Sequence, residues 1–254
     1  MSSDFVAAID LGSNSFHMIV ARIVNGHVQV LDRLREMVQL AAGLDSHHRL
    51  SAESQQRALD CLARFGQRLR HIPPARLRIV GTNTLRQARN SAEFVARAEQ
   101  LLGHRVEIVS GQEEARLIYL GVAHSVGDVA GERLVVDIGG GSTELIIGEK
   151  FDPVHLASLR MGCVSMTRGC FDDGRITASR LRDAELLVQL NLEPVREAYL
   201  ARGWQMATGA SGSIKAIQDV IVGEGWSREE ITLDGLRRLR AALLEVRDTA
   251  GVAS

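Results

Sequence analysis

One short pattern occurs twice in this chain. Asp10-Leu11-Gly12-Ser13-Asn14-Ser15 and, 127 residues on, Asp137-Ile138-Gly139-Gly140-Gly141-Ser142 share the order acid, aliphatic, glycine, two small residues, serine. Each copy follows an apolar run, Phe5 to Asp10 or Leu134 to Val136, and each passes directly into a second strand-like run, Phe16 to Val24 or Glu144 to Gly148. The offset is half of the 254-residue chain, and matching context on both sides predicts an internal duplication of two similar α/β domains. The weak Gly/Asp/Ala linker Gly127-Asp128-Val129-Ala130-Gly131 places the expected domains at residues 1–124 and 125–254.

The stretches between the repeats agree with an α/β class. Asn25-Gly26 predicts a type I′ hairpin into Val28 to Leu31, because both central positions of that turn need positive φ. From Ser51, Ala58, Leu62, Phe65, Leu69 and Ile72 recur at helical spacing until Pro73-Pro74. A strand (Leu77 to Val80), a helix opened by Ser91, a strand (Val106 to Val109) and a helix from about Gln112 to Val122 follow. Further on, Gln205 to Ala207 reads as a strand and Ile214 to Val222 as a helix, while the stretch between Cys163 and Cys170 has no clear pattern. Alternating strands and helices favour mixed sheets flanked by helices.

Composition excludes several classes. With 30 basic against 31 acidic residues, and 45% hydrophobic residues, neither a disordered tail nor a nucleic-acid-binding surface is expected. Arginine dominates the basic residues, Lys150 and Lys215 being the only lysines; a GC-rich genome accounts for that. Three cysteines without a Cys-x-x-Cys pair argue against a disulfide framework or a zinc site. No signal-peptide core and no apolar segment of bilayer-spanning length is present, so a cytoplasmic protein is expected.

Tight turns of small residues between strands leave backbone N–H groups open to an anion. A single glycine turn would be read as a plain hairpin. Two related turns, each introduced by an acid and closed by a hydroxyl, point to phosphate. Gly209-Ala210-Ser211-Gly212-Ser213, between a strand and a helix, is a third candidate, although it has neither Walker A nor Rossmann spacing. Asp137 and Glu144 flank the second turn, and hard carboxylates beside phosphates are what Mg²⁺ accepts. Arg86 and Thr82, in Gly81-Thr82-Asn83-Thr84-Leu85-Arg86, follow another strand end, where an arginine can neutralise a transferring phosphoryl group. Ser110-x-x-Glu113 has the form of a capping box. On spacing alone its neighbour Glu114 reads as favourable charge at a helix N-terminus. The eight histidines and the cysteines suggest no catalytic constellation.

Taken together, Ala8 to Met18, Gly81 to Arg86, Ser110 to Tyr119, Val136 to Glu144 and Gly209 to Ser213 resemble the exopolyphosphatase and guanosine pentaphosphate phosphohydrolase family. The resemblance runs in order from about Phe5 to a helix ending near Val246. It implies duplicated actin-like (ribonuclease H-like) domains, mixed sheets flanked by helices, and catalysis in an interdomain cleft. It also makes Glu114 the general base or water-positioning carboxylate, reversing the reading from spacing. Arg86 becomes a phosphate contact, and Asp137 and Glu144 become Mg²⁺ ligands. The phosphate cradle is implied at Ser13, Asn14, Ser15, Thr82, Gly139, Gly140, Gly141, Ser142, Thr143, Gly209, Ser211, Gly212 and Ser213.

Family members continue with a further helix, a strand and a closing helix bearing Asp-Gly-x-x-Arg-Glu-Gly, so the second domain is expected to be incomplete and to expose apolar surface. The expected reaction is exopolyphosphatase: release of terminal phosphate from inorganic polyphosphate by Mg²⁺-assisted attack of water. Hydrolysis of guanosine pentaphosphate is the alternative. The triple glycine and Gly81 to Ala88 look closer to the exopolyphosphatase branch. An ATP-dependent kinase or ATPase of the same fold, or a polyphosphate or alarmone binding unit without turnover, would be a different class. A homodimer is also expected.

Overall fold

The computed structural model describes residues 4–127 and 130–249. Asp128 and Val129 of the expected linker lie outside the described residues, as do Met1-Ser2-Ser3 and the terminal Ser254. Two compact units divide the chain, Met1–Gly111 and Gln112–Ser254.

In the first unit β1 (Phe5–Leu11), β2 (Ser15–Val24) and β3 (His27–Met37) form an antiparallel meander. Asn25 (φ 52) and Gly26 (φ 79) supply the two left-handed residues of its second turn, as their sequence requires. The helix α1 (Ala52–Leu69) is capped by Ser51, whose side chain accepts from Ser54 N. Its stripe of Ala58, Leu62, Phe65 and Leu69 is buried in one core with Ala7, Ile9, Leu11, Phe16 and Met18. The chain returns as β4 (Leu77–Gly81), parallel to β1, and then forms α2 (Asn83–Gln87), α3 (Ser91–Leu102) and the two-residue β5 (Glu107–Ile108). The sheet order is β3-β2-β1-β4-β5.

The second unit opens with α4 (Gly111–Val126), which the sequence pattern had grouped with the first half. It counts with the second because Ala115, Tyr119 and Ala123 share a core with Val135 and Ile146. Next come β6 (Glu132–Ile138), β7 (Thr143–Glu149) and β8 (Asp152–Leu159), a meander of the same kind. Then follow α5 (Cys163–Cys170), α6 (Ala178–Arg202), β9 (Met206–Gly209), α7 (Gly212–Gly223) and α8 (Leu233–Val246). β9 lies parallel to β6, and the sheet order is β8-β7-β6-β9.

The duplication holds at the level of register. Asp10 pairs with His17 and Leu11 with Phe16; Asp137 pairs with Glu144 and Ile138 with Thr143, the equivalent positions. Elements without a counterpart in the sequence reading include α5, on the stretch that showed no clear pattern, as well as β8 and α6. β8 is the third strand that the duplication implies, and α6 lacks a clean apolar stripe, burying only Ala184 and Tyr199. Leu186 and Leu190 on α6 and Leu233 on α8 stand exposed, as do Val28 and Met37 on β3 of the first unit. No helix among the described residues is long and apolar enough to cross a membrane.

Candidate phosphate and metal site

The acid residues of the second unit meet because of strand parity. Asp137 and Val135 point to one face of β6, and Glu144 and Ile146 to the same face of β7, since the pairs Asp137–Glu144 and Val135–Ile146 lie directly opposite. Val135 and Ile146 are covered by α4, so the start of that helix lies on the face that holds the two acids. Glu114 immediately precedes the buried Ala115 there. Tyr119 fixes the helix height by donating to the Lys150 carbonyl at 3.2 Å. Its ring lies so close to β7 that a Cβ at position 148 would stand 2.5 Å from Tyr119 Cζ, a space only Gly148 leaves open.

Electrostatics marks Glu144 as the centre of this group. It is 1% exposed, and its carboxyl is pushed up to about 8, first by burial and then by the negative charge of Glu114, with Asp137 adding to it. Hydroxyls of Ser158 and Ser142 act in the opposite sense by donating to the carboxylate, Ser158 Oγ at 2.8 Å from Oε1. Negative charge from Glu114 and Asp137 acting on a buried carboxyl suits a dication. Among the described residues no group of three or more His, Cys, Asp or Glu side chains is gathered closely enough to hold a metal unaided. Mg²⁺ needs only one or two carboxylates where phosphate and water complete its shell, so Asp137 and Glu144 fit that ion as partial ligands.

The turn between β6 and β7 is built for close approach. Gly139 N donates to Ser142 O at 2.9 Å, and the carbonyls of Gly139 and Gly140 accept from Cys163 N and Val164 N, both at 2.9 Å. The start of α5 is thereby docked onto the turn. Gly162 permits the docking, because a Cβ there would lie 2.6 Å from Gly140 C and Gly141 N. Among the described residues the N–H groups of Gly140 and Gly141 have no acceptor, which leaves them open to an anion. Thr143, expected in the cradle, instead donates its hydroxyl to the Met161 carbonyl at 2.7 Å and is buried. The third turn lies beside this one: Ala210 N donates to Val136 O at 2.9 Å. Ser211 Oγ accepts both Ile138 N at 3.3 Å and Ile214 N at 3.2 Å. Ser211 thus caps α7 and ties it to β6, with Gly209, Gly212 and Ser213 around it.

The first unit repeats the plan with different side chains. Its turn lends the carbonyls of Ser13 and Asn14 to Ala41 N and Gln39 N, at 2.9 and 2.7 Å. Leu11 and Gly81 are parallel neighbours, so Ser13, Asn14 and Ser15 share a strand end with Thr82. The Thr84 hydroxyl donates to Ser13 Oγ at 2.8 Å. Arg86, in the last turn of α2, donates from Nη1 to the Val109 carbonyl at 2.9 Å. Ser15 Oγ lies 2.9 Å from Nε2 of His17, whose imidazole is held below its usual range by burial and by Arg35.

Known proteins agree with this architecture. The profile of the Ppx/GppA phosphatase family matches residues 19–252. The chain belongs to that family. The guanosine-5'-triphosphate,3'-diphosphate pyrophosphatase of Vibrio cholerae is 50% identical over 240 residues, covering 94% of this chain and 48% of that protein. Its namesake in Aliivibrio fischeri is 48% identical over 243 residues, with 96% and 48% covered. The chain spans about half the length of the curated relatives it matches. Among solved structures, an exopolyphosphatase of Cytophaga hutchinsonii superposes with a TM-score of 0.83 at 24% identity, over 95% of this chain and 80% of that one. An exopolyphosphatase-like protein gives 0.80 at 30% identity, over 88% and 70%. The expected fold, actin-like units of mixed sheets flanked by helices, is therefore the fold of this family member.

Sequence reasoning missed Ser158, Gly162 and Thr84. Extending the duplication to the third strand would have exposed the first: Ser158 occupies on β8 the register position that Arg35 holds on β3.

Proposed function

We propose that this chain is a phosphoanhydride hydrolase acting on guanosine pentaphosphate, releasing one orthophosphate to leave the tetraphosphate. The hydrolase class rests on membership of a phosphatase family. The preference for the alarmone over polyphosphate rests on the name carried by relatives about half identical to this chain. It replaces the polyphosphate preference drawn from the glycine turn. Polyphosphate remains the second reading, favoured by the 30% identical exopolyphosphatase-like structure.

The observation that carries the chemistry is the meeting of Glu114, Asp137 and Glu144 on one sheet face beside a turn with open N–H groups. In the proposed reaction Glu114 orients a water in line with the terminal phosphorus and accepts its proton. The water oxygen forms the new P–O bond, the bridging P–O bond breaks, and its electron pair leaves with the nucleotide oxygen. Gly140 and Gly141 N–H groups stabilise the charge on the transferring phosphoryl oxygens. Asp137 and Glu144 would hold Mg²⁺, which when bound neutralises phosphate charge. Arg86 and the first-unit turn are assigned to phosphate binding.

Phosphate release from guanosine pentaphosphate and from long-chain polyphosphate, measured side by side for the wild type and Glu114→Gln, tests this. The expected result is faster release from the alarmone and at least a hundredfold loss in the variant. Equal turnover by the variant would remove Glu114 from the mechanism, and release from polyphosphate alone would restore the second reading.

A further inference from the structure

Strand register aligns Asp137, Glu144 and Ser158 in one row across β6, β7 and β8. The equivalent row of the first unit reads Asp10, His17 and Arg35 across β1, β2 and β3. The meander therefore also forms without a hydroxyl on its third strand or a carboxylate on its second. The Ser158–Glu144 pair is not a requirement of the fold. It appears only in the unit where acids converge.

A buried glutamate has several rotatable bonds, and Glu114 and Asp137 both repel its charge. Two hydroxyls hold it by donation: that of Ser142 in the turn and that of Ser158, which donates to Oε1 at 2.8 Å from a half-buried position on the adjoining strand. We propose that Ser158 is a positioning residue that holds the Glu144 carboxylate in the orientation in which it binds the divalent cation. The proposal rests on the reading of Glu144 as a metal ligand. Hydrogen-bond partners behind metal ligands typically set affinity by 10- to 100-fold, and Ser158 is placed to do so.

The test is Mn²⁺ binding to the purified chain in saturating inorganic phosphate, read from the electron paramagnetic resonance signal of the free ion. Ser158→Ala should raise the dissociation constant about tenfold or more. Ser158→Thr, which keeps the donor and suits a strand, should stay within about threefold of wild type. In a Glu144→Gln background Ser158→Ala should change nothing further. Ser158→Ala should raise the Mg²⁺ concentration giving half-maximal hydrolysis with a much smaller effect on kcat at saturating Mg²⁺, and Ser158→Thr should leave that concentration near the wild-type value. Ser158→Cys, similar in size and a weak donor, replaces the alanine variant if that one does not fold. Wild-type affinity in Ser158→Ala, or equal loss in the alanine and threonine variants, overturns the positioning role alone. A wild-type protein that binds no Mn²⁺ overturns the metal reading and this inference with it.

Discussion

Glu144→Gln should stabilise the protein at alkaline pH and leave it unchanged in acid. The carboxyl lies 1% exposed and is raised from 4.5 to about 8, chiefly by burial and then by Glu114. Because the folded pKa exceeds the unfolded one, the native state holds a proton that the unfolded chain has released. The resulting stability is fully present below about pH 4.5 and is lost as pH rises through about 8, at a slope near 1.4 kcal/mol per pH unit. The whole shift corresponds to roughly 5 kcal/mol at most, a large part of the 5–15 kcal/mol typical of a domain. Glutamine mimics the protonated acid and should remove the slope. Trp204 and Trp226 both belong to the second unit, so tryptophan fluorescence during urea unfolding follows the relevant half. Metal-free curves at pH 4.5, 6, 7.5 and 9 should diverge by a few kcal/mol at the alkaline end, and Mg²⁺ with phosphate should narrow the gap by stabilising the ionised wild type. Parallel pH dependence of the two proteins would refute the burial argument.

Gly162→Ala forces a Cβ to 2.6 Å from the backbone of Gly140 and Gly141. It should cost about 1–3 kcal/mol in urea unfolding and lower hydrolysis by displacing the turn; unchanged stability would mean the docking of α5 is loose. Ser211→Ala removes an oxygen that accepts from both Ile214 N and Ile138 N. A loss of about 1–2 kcal/mol, read as a lowered midpoint, is expected. Treatment with EDTA should abolish phosphate release and Mg²⁺ should restore it; full activity in excess chelator would dismiss a metal role for Asp137 and Glu144.

Much of the plan was legible because it is local. Asn25-Gly26 can hardly avoid a tight turn, Ser51 caps because its oxygen reaches Ser54 N, and the stripe from Ala58 to Leu69 must face a core. The repeat around Asp10 and Asp137 was visible for the same reason, since a turn of small residues is written in consecutive positions. Less legible was α6, whose 25 residues bury only Ala184 and Tyr199 and so show no periodic stripe. On spacing alone Glu114 could not be told from an ordinary helix-start acid. Its relation to Glu144 exists only after α4 lies across β6 and β7, and that placement depends on the gap at Gly148 that receives Tyr119.

Sequence by itself determined the local features, among them the Asn25-Gly26 turn, the Ser51-capped α1 and the strands around each acid-led turn, and that one plan is used twice. Tertiary structure decided which of the twin turns faces acids: the same register position holds His17 in one unit and Glu144 in the other. The charge of a side chain is encoded in its own codon, but its burial and its neighbours across a sheet are properties of strands and helices distant in the chain. Only their packing brings Ser158, Glu144 and Glu114 together and moves a carboxyl from its ordinary range to about 8.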